Sequence, residues 1–123
     1  MVNFGGIETV PAQFRDRNLH VHNAQVTLMR TTPEENVQIA EWLSAKLNRS
    51  QSPFSILLPE GGVSVLDAPG AAFYDPEADA ALFDMLEARI EPSDQRKIIR
   101  LPYNINDAEF SAALVAEFEL LNG

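Results

Sequence analysis

Three times along this 123-residue chain a short apolar run of β type leads through a polar or glycine-containing loop into a capped helical pattern. No other feature restricts the fold as much. The runs are Val26–Met29, Phe54–Leu58 and Lys97–Leu101, and the loops after them are Arg30-Thr31-Thr32, Glu60-Gly61-Gly62 and Tyr103-Asn104-Ile105-Asn106. Strands alternating with helices at this spacing predict an α/β fold of three layers on a mostly parallel sheet, with the strands near Val26, Ile56 and Ile98 all parallel. Ligands of such sheets sit beyond the carboxyl ends of the strands, so function is sought in those three loops.

Local signals set the helices. Thr32-Pro33-Glu34-Glu35 supplies an N-cap, a proline at the first helical position and the glutamate of a capping box, which predicts a helix over Pro33–Leu47 with Ile39, Trp42, Leu43 and Leu47 inward. Asp75-Pro76-Glu77 opens a second helix with Leu82, Phe83, Leu86 and Ile90 as its apolar stripe. Asn106-Asp107-Ala108-Glu109 opens a third, with Phe110, Leu114, Phe118 and Leu121 facing the core. The long segment from Glu60 to Tyr74 carries Asp67-Ala68-Pro69-Gly70, a type II turn signal, and loops of that length inside a domain are commonly functional. Before all this lie a strand candidate at Met1–Phe4, a short helix near Pro11, and His20-Val21-His22-Asn23 leading into the strand at Ala24–Arg30. The length suits one domain spanning 1–123. A strand that starts at the first residue suggests a fragment of a larger chain, and a truncated sheet with an unpaired edge predicts a homo-oligomer or a protein partner.

Nine basic residues against eighteen acidic ones give a formal charge of −9, which opposes long nucleic-acid grooves and acidic membrane surfaces. No apolar run approaches the roughly 20 residues of a membrane span, and no signal-peptide pattern opens the chain. The absence of cysteine removes disulfides and thiolate metal sites and fits a reducing compartment, so the expected location is cytoplasmic.

The candidate site residues follow from the loops. Arg30-Thr31-Thr32 places a guanidinium and two hydroxyls beside helix-terminal amides, a small-anion arrangement whose alternative is capping plus a surface arginine. Gly61-Gly62 lets backbone amides approach an anion, with Ser64 adding a hydroxyl; a plain structural turn is the alternative, since no Walker or dinucleotide glycine motif is present. His20 and His22 would share a strand face, but two ligands are an incomplete metal site. Glu60, Asp67 and Asp75 could converge as a carboxylate cluster for acid/base work or magnesium, or act as turn former and N-cap. Phe73, Tyr74 and Tyr103 lie at the rim, where aromatics stack on bases or pack on helix caps.

The ordered phrases Val26-Thr27-Leu28-Met29-Arg30-Thr31-Thr32-Pro33-Glu34-Glu35-Asn36, Leu58-Pro59-Glu60-Gly61-Gly62-Val63-Ser64, Leu66-Asp67-Ala68-Pro69-Gly70, Asp75-Pro76-Glu77-Ala78-Asp79 and Ile105-Asn106-Asp107 carry a resemblance over nearly the whole chain. It resembles the C-terminal part of the uncharacterised bacterial family related to the ATP-binding domain of the tomato mosaic virus resistance protein, a plant inhibitor of viral RNA replication. The resemblance implies a piece of a longer protein of two Rossmann-like subdomains, lacking its N-terminal part, with ATP as cofactor of the longer protein. It carries Arg30, Thr31, Gly61, Gly62, Ser64 and Asp67 as nucleotide contacts. Two functions fit: a nucleotide-binding interaction module, or half the active site of an enzyme using ATP or another phosphorylated ligand.

Overall fold

Asn23 begins the first departure from the expected pattern. Its side-chain Oδ1 accepts from the Gln25 amide at 2.8 Å, closing a local turn between β2 (Leu19–Asn23) and β3 (Val26–Met29). A connection this short can only join antiparallel strands. The computed structural model, which describes Met1–Gly123, pairs β3 antiparallel with β2 and antiparallel with β1 (Val2–Phe4), in the order β1-β3-β2. The strand at Val26 therefore belongs to an antiparallel sheet separate from the one that holds Ile56 and Ile98, a correction to the expected mostly parallel sheet. Between β1 and β2 the chain makes two 3-10 turns, Ile7–Thr9 and Ala12–Phe14, the second just after Pro11. Val10, Thr27 and Met29 are buried in this N-terminal unit, Met1–Thr32, and the Phe4 and Phe14 rings lie 5.9 Å apart.

The second unit, Pro33–Gly123, keeps the strand–helix alternation. It runs α1 (Pro33–Leu47), β4 (Phe54–Pro59), α2 (Pro76–Arg89), β5 (Arg96–Leu101) and α3 (Ala108–Asn122). β4 and β5 are parallel, with Ile56 opposite Ile98 and Leu58 opposite Arg100, and α2 forms the crossover that parallel strands require. Alternation along the strands sends Phe54, Ile56, Leu58 and Ile98 to one face, where they pack with Ala40, Leu43 and Leu47 of α1 and Phe83 and Leu86 of α2. Ser55 and Lys97 point to the other face and bond the Glu117 carboxylate of α3 at 2.9 and 3.5 Å. This unit is thus three layers: α1 and α2, the parallel pair, and α3. The α/β class holds.

Two helices turn differently from their apolar spacing. The buried line of α1 is Asn36, Ala40 and Ser44, whereas Ile39 is exposed and Trp42 is 61% exposed with the Lys46 ammonium 4.6 Å from its ring centre. Small residues win that face because α2 lies against it: Ala78 is fully buried, and the Asn36 amide donates to the Ala78 carbonyl at 2.6 Å. On α3, Phe110 is buried as expected, but Leu114, Phe118 and Leu121 are exposed. That helix is seated instead by Phe110, Ala113 and Glu117, the last held by the sheet.

Candidate functional site

The loops after β4 and β5 are fastened to one another. The Glu60 amide donates to the Leu101 carbonyl at 2.8 Å and the Gly61 amide to that of Tyr103 at 2.9 Å, while the Ile105 amide returns a bond to Gly62 at 2.9 Å. Asn104 completes the seam, its side-chain amide donating to the carbonyls of Gly61 and Ser64 at 3.1 and 2.9 Å. Glycine is needed at both positions of the pair. A Cβ on Gly61 would sit 2.5 Å from the Asn104 nitrogen, and one on Gly62, whose φ is 119°, would sit 1.8 Å from the Asp67 carbonyl oxygen.

Asp67 closes the rest of the long loop. Fully buried, it accepts from the Val63 amide at 2.9 Å and the Asp75 amide at 3.1 Å, while the Asp75 carboxylate accepts from the Ala78 amide at 3.0 Å as the N-cap of α2. Ser64 Oγ accepts from the Leu66 amide at 3.1 Å. Gly61, Gly62, Ser64 and Asp67 are therefore brought together as one hydrogen-bonded rim. The amides of Gly61, Gly62 and Val63 already donate within the chain, to Tyr103, Pro59 and Asp67, so the glycine pair as folded is a packing junction and offers no open phosphate cradle. Phe73 is buried beneath this loop, Tyr74 is half exposed, and Tyr103 contributes its carbonyl to the seam.

Beside the rim, Glu60, Pro76, Asp79, Ala80, Phe83 and Arg100 line a cavity of about 150 Å³ at the carboxyl end of the parallel pair. Its electrostatics centre on Arg100, which the sequence pattern did not single out. The guanidinium meets Glu87 through two bonds of 2.9 and 2.8 Å, Asp84 at 2.6 Å and Glu60 at 3.3 Å. The hydrogen bond from Arg100 holds the Glu87 carboxyl below its ordinary value, partly offset by desolvation, and the same carboxylates push the arginine's own pKa up. Three carboxylates around one guanidinium leave the rim negative. The available signal was an arginine interrupting the apolar run Ile98-Ile99-Arg100-Leu101 at the end of β5.

Arg30, Thr31 and Thr32 belong to the N-terminal unit, with Arg30 and Thr31 only 5% and 3% exposed; the Arg30 amide donates to Asn18 and its carbonyl accepts from Arg17, both at 3.0 Å. His20 lies opposite Leu28 of β3 while His22 falls at the register shift between Val21 and Asn23, which breaks the alternation expected to put them on one face, and no group of three His, Cys, Asp or Glu is placed to hold a metal ion. Glu60 joins Arg100, while Asp67 and Asp75 clamp the loop and cap α2, so the three carboxylates do not converge. No helix is long and apolar enough to cross a membrane.

Fold and rim together define an α/β domain with a strand-end surface built from two interlocked loops. The chain belongs to the uncharacterised protein family UPF0261, whose C-terminal domain matches residues 1–122. It is 54% identical over 118 residues to a UPF0261 protein of Rhizobium meliloti, covering 96% of this chain and 30% of that protein. The ToMV resistance protein Tm-1(GCR237) of Solanum lycopersicum is 50% identical, and the ToMV susceptible protein tm-1(GCR26) of the same plant 48%, each over 96% of this chain and 16% of the tomato protein. The chain thus spans under a third of the length of these relatives.

Proposed function

We propose that the chain is a binding module of a larger α/β protein and forms one wall of a nucleotide site, with ATP as the first ligand to test. The supporting observation is the rim: two loops at the carboxyl ends of parallel strands, locked by backbone bonds, beside a cavity of about 150 Å³. Small-molecule sites run to roughly 300–1,000 Å³, so a whole nucleotide needs a second wall. Because Arg100 is already matched by Glu60, Asp84 and Glu87, this wall suits the sugar or base end of the ligand. In this reading Arg30, Thr31 and Thr32 are separate anion-contact candidates of the N-terminal unit. The resistance and susceptible tomato proteins match almost equally, so likeness in this domain does not follow the difference in their names. The lack of cysteine suits a reducing setting such as the cytoplasm.

Calorimetric titration of ATP into this chain and into the longer Rhizobium meliloti relative tests the proposal. Binding to the relative with no measurable heat from this chain is expected. A relative that does not bind overturns the nucleotide, and tight binding to this chain alone overturns the single wall.

A further inference from the structure

The cavity beside the rim is lined by one carboxylate with an unused oxygen. Among the acidic partners of Arg100, Glu87 uses both of its oxygens, and Asp84 is 69% exposed and absent from the lining. Glu60 lines the cavity and is engaged through Oε1 alone, at 3.3 Å. Its backbone is fixed, because the Glu60 amide donates to the Leu101 carbonyl in the seam between the two loops. Arg100 lines the same cavity. It commits its Nε hydrogen to Glu87, its Nη2 hydrogens to Asp84 and Glu87, and one Nη1 hydrogen to Glu60. A guanidinium carries two hydrogens on each terminal nitrogen, so one Nη1 hydrogen stays unused next to the unused Oε2 of Glu60.

An acceptor and a donor side by side select the ligand group. The surplus carboxylates repel a phosphate, and an ammonium, which only donates, leaves the Arg100 hydrogen unmet. A hydroxyl both donates and accepts, and two on adjacent carbons span the Glu60 oxygen and the Arg100 nitrogen. Pro76, Ala80 and Phe83 form the apolar lining, suited to the C–H face of a sugar ring, and Asp79 completes it. A base needs an aromatic face to stack on, whereas Phe83 is 3% exposed and packed in the core. The cavity of about 150 Å³ is half the roughly 300 Å³ lower bound of ligand pockets, which leaves space for one ring. The geometry points to Glu60, with Arg100 beside it, as the recognition pair for a vicinal diol, the 2′- and 3′-hydroxyls of a ribosyl ligand. Glu60 is then the residue that separates ribose from deoxyribose. The choice of a ribosyl ligand over another diol rests on the nucleotide reading above.

The probe is adenosine, titrated to millimolar concentration into the isotope-labelled chain and followed by amide chemical shifts, which register affinities too weak for calorimetric heat. Adenosine should shift the amides of Glu60, Ala80 and Arg100. Exchange of the probe for 2′-deoxyadenosine, or Glu60→Gln, should each weaken binding about fivefold or more, because a site built to bond a hydroxyl rejects the analogue that lacks it. Glu109→Gln, at an exposed acid of α3 outside the cavity, should leave binding unchanged, and circular dichroism confirms that each variant is folded. Equal binding of 2′-deoxyadenosine, or indifference to Glu60→Gln, overturns the diol. Loss of binding with purine riboside, which keeps the ribose but lacks the amino group of adenine, assigns the cavity to the base edge and overturns it as well. No shift with adenosine, while ATP binds the longer Rhizobium meliloti relative, overturns the diol and leaves the nucleotide reading standing. The expected adenosine pattern, with a relative that gives no heat with ATP, retains the diol and overturns the nucleotide.

Discussion

Replacing Asp67 by alanine should unfasten the long loop at both ends. The carboxylate is fully buried and accepts from the amides of Val63 and Asp75, which hold the end of β4 and the N-cap of α2. A hydrogen bond to a charged group is worth about 1.5–3 kcal/mol net, and an orphaned buried amide carries a similar penalty. With water admitted to the vacated space, the loss for Asp67→Ala should be about 3–5 kcal/mol. A chain of this size loses roughly 4 °C of Tm per kcal/mol, so the expected drop is about 10–20 °C. Asp67→Asn keeps one acceptor but turns an NH2 toward the second amide, and should cost somewhat less, about 2–3 kcal/mol. Ser64→Ala, which removes only the acceptor for the Leu66 amide, should cost about 1 kcal/mol. Urea unfolding followed by far-ultraviolet circular dichroism ranks the three. An Asp67→Ala protein within ~0.5 kcal/mol of the parent would refute the clamp, because two partly buried amides cannot both lose a carboxylate acceptor at so little cost.

Gly62→Ala should prevent stable folding, since its Cβ would meet the Asp67 carbonyl at 1.8 Å on a backbone with φ of 119°; soluble protein with a native spectrum would contradict this. Thr27→Val should stabilise by about 1 kcal/mol in thermal melts, because the buried Thr27 hydroxyl has no hydrogen-bond partner. Arg100→Gln tests the ion-pair cluster: Glu87 has a lowered pKa in the fold, so its contribution is present above the unfolded value near 4.5 and fades as pH falls through the lower folded value. The Tm gap between parent and Arg100→Gln should shrink from pH 7 to pH 3, and the stability difference behind it should stay within about 1 kcal/mol because these side chains are solvent-screened. Trp42→Ala should change stability by no more than ~0.5 kcal/mol, against about 3–5 for Phe83→Ala, and Trp42 emission should be freely quenched by acrylamide.

The pieces the sequence determined are those fixed by neighbours a few residues away. Pro33–Leu47 is helical over the expected residues, Asp75 caps α2 through the Ala78 amide, and the β-type runs at Phe54 and Lys97 are the parallel strands β4 and β5. Cap geometry and helical spacing depend on contacts within one or two turns, so they are legible along the chain. The Asn23 turn is equally local, and it makes β3 antiparallel to β2 despite the strand–helix rhythm that runs through the same segment. What tertiary structure decided is which surface each element meets. α1 presents Asn36, Ala40 and Ser44 to α2 because close helix approach needs small side chains, and Trp42 is left in solvent. α3 is seated by Glu117 on Ser55 and Lys97, 62 and 20 positions away, which turns Leu114, Phe118 and Leu121 outward. The glycine pair was visible, but the atoms crowding it come from Asp67 and from Tyr103 and Asn104 across the parallel pair. Burial and hydrogen-bond partners of that kind arise only when distant segments pack, because the same apolar stripe or glycine serves any neighbour that the fold supplies.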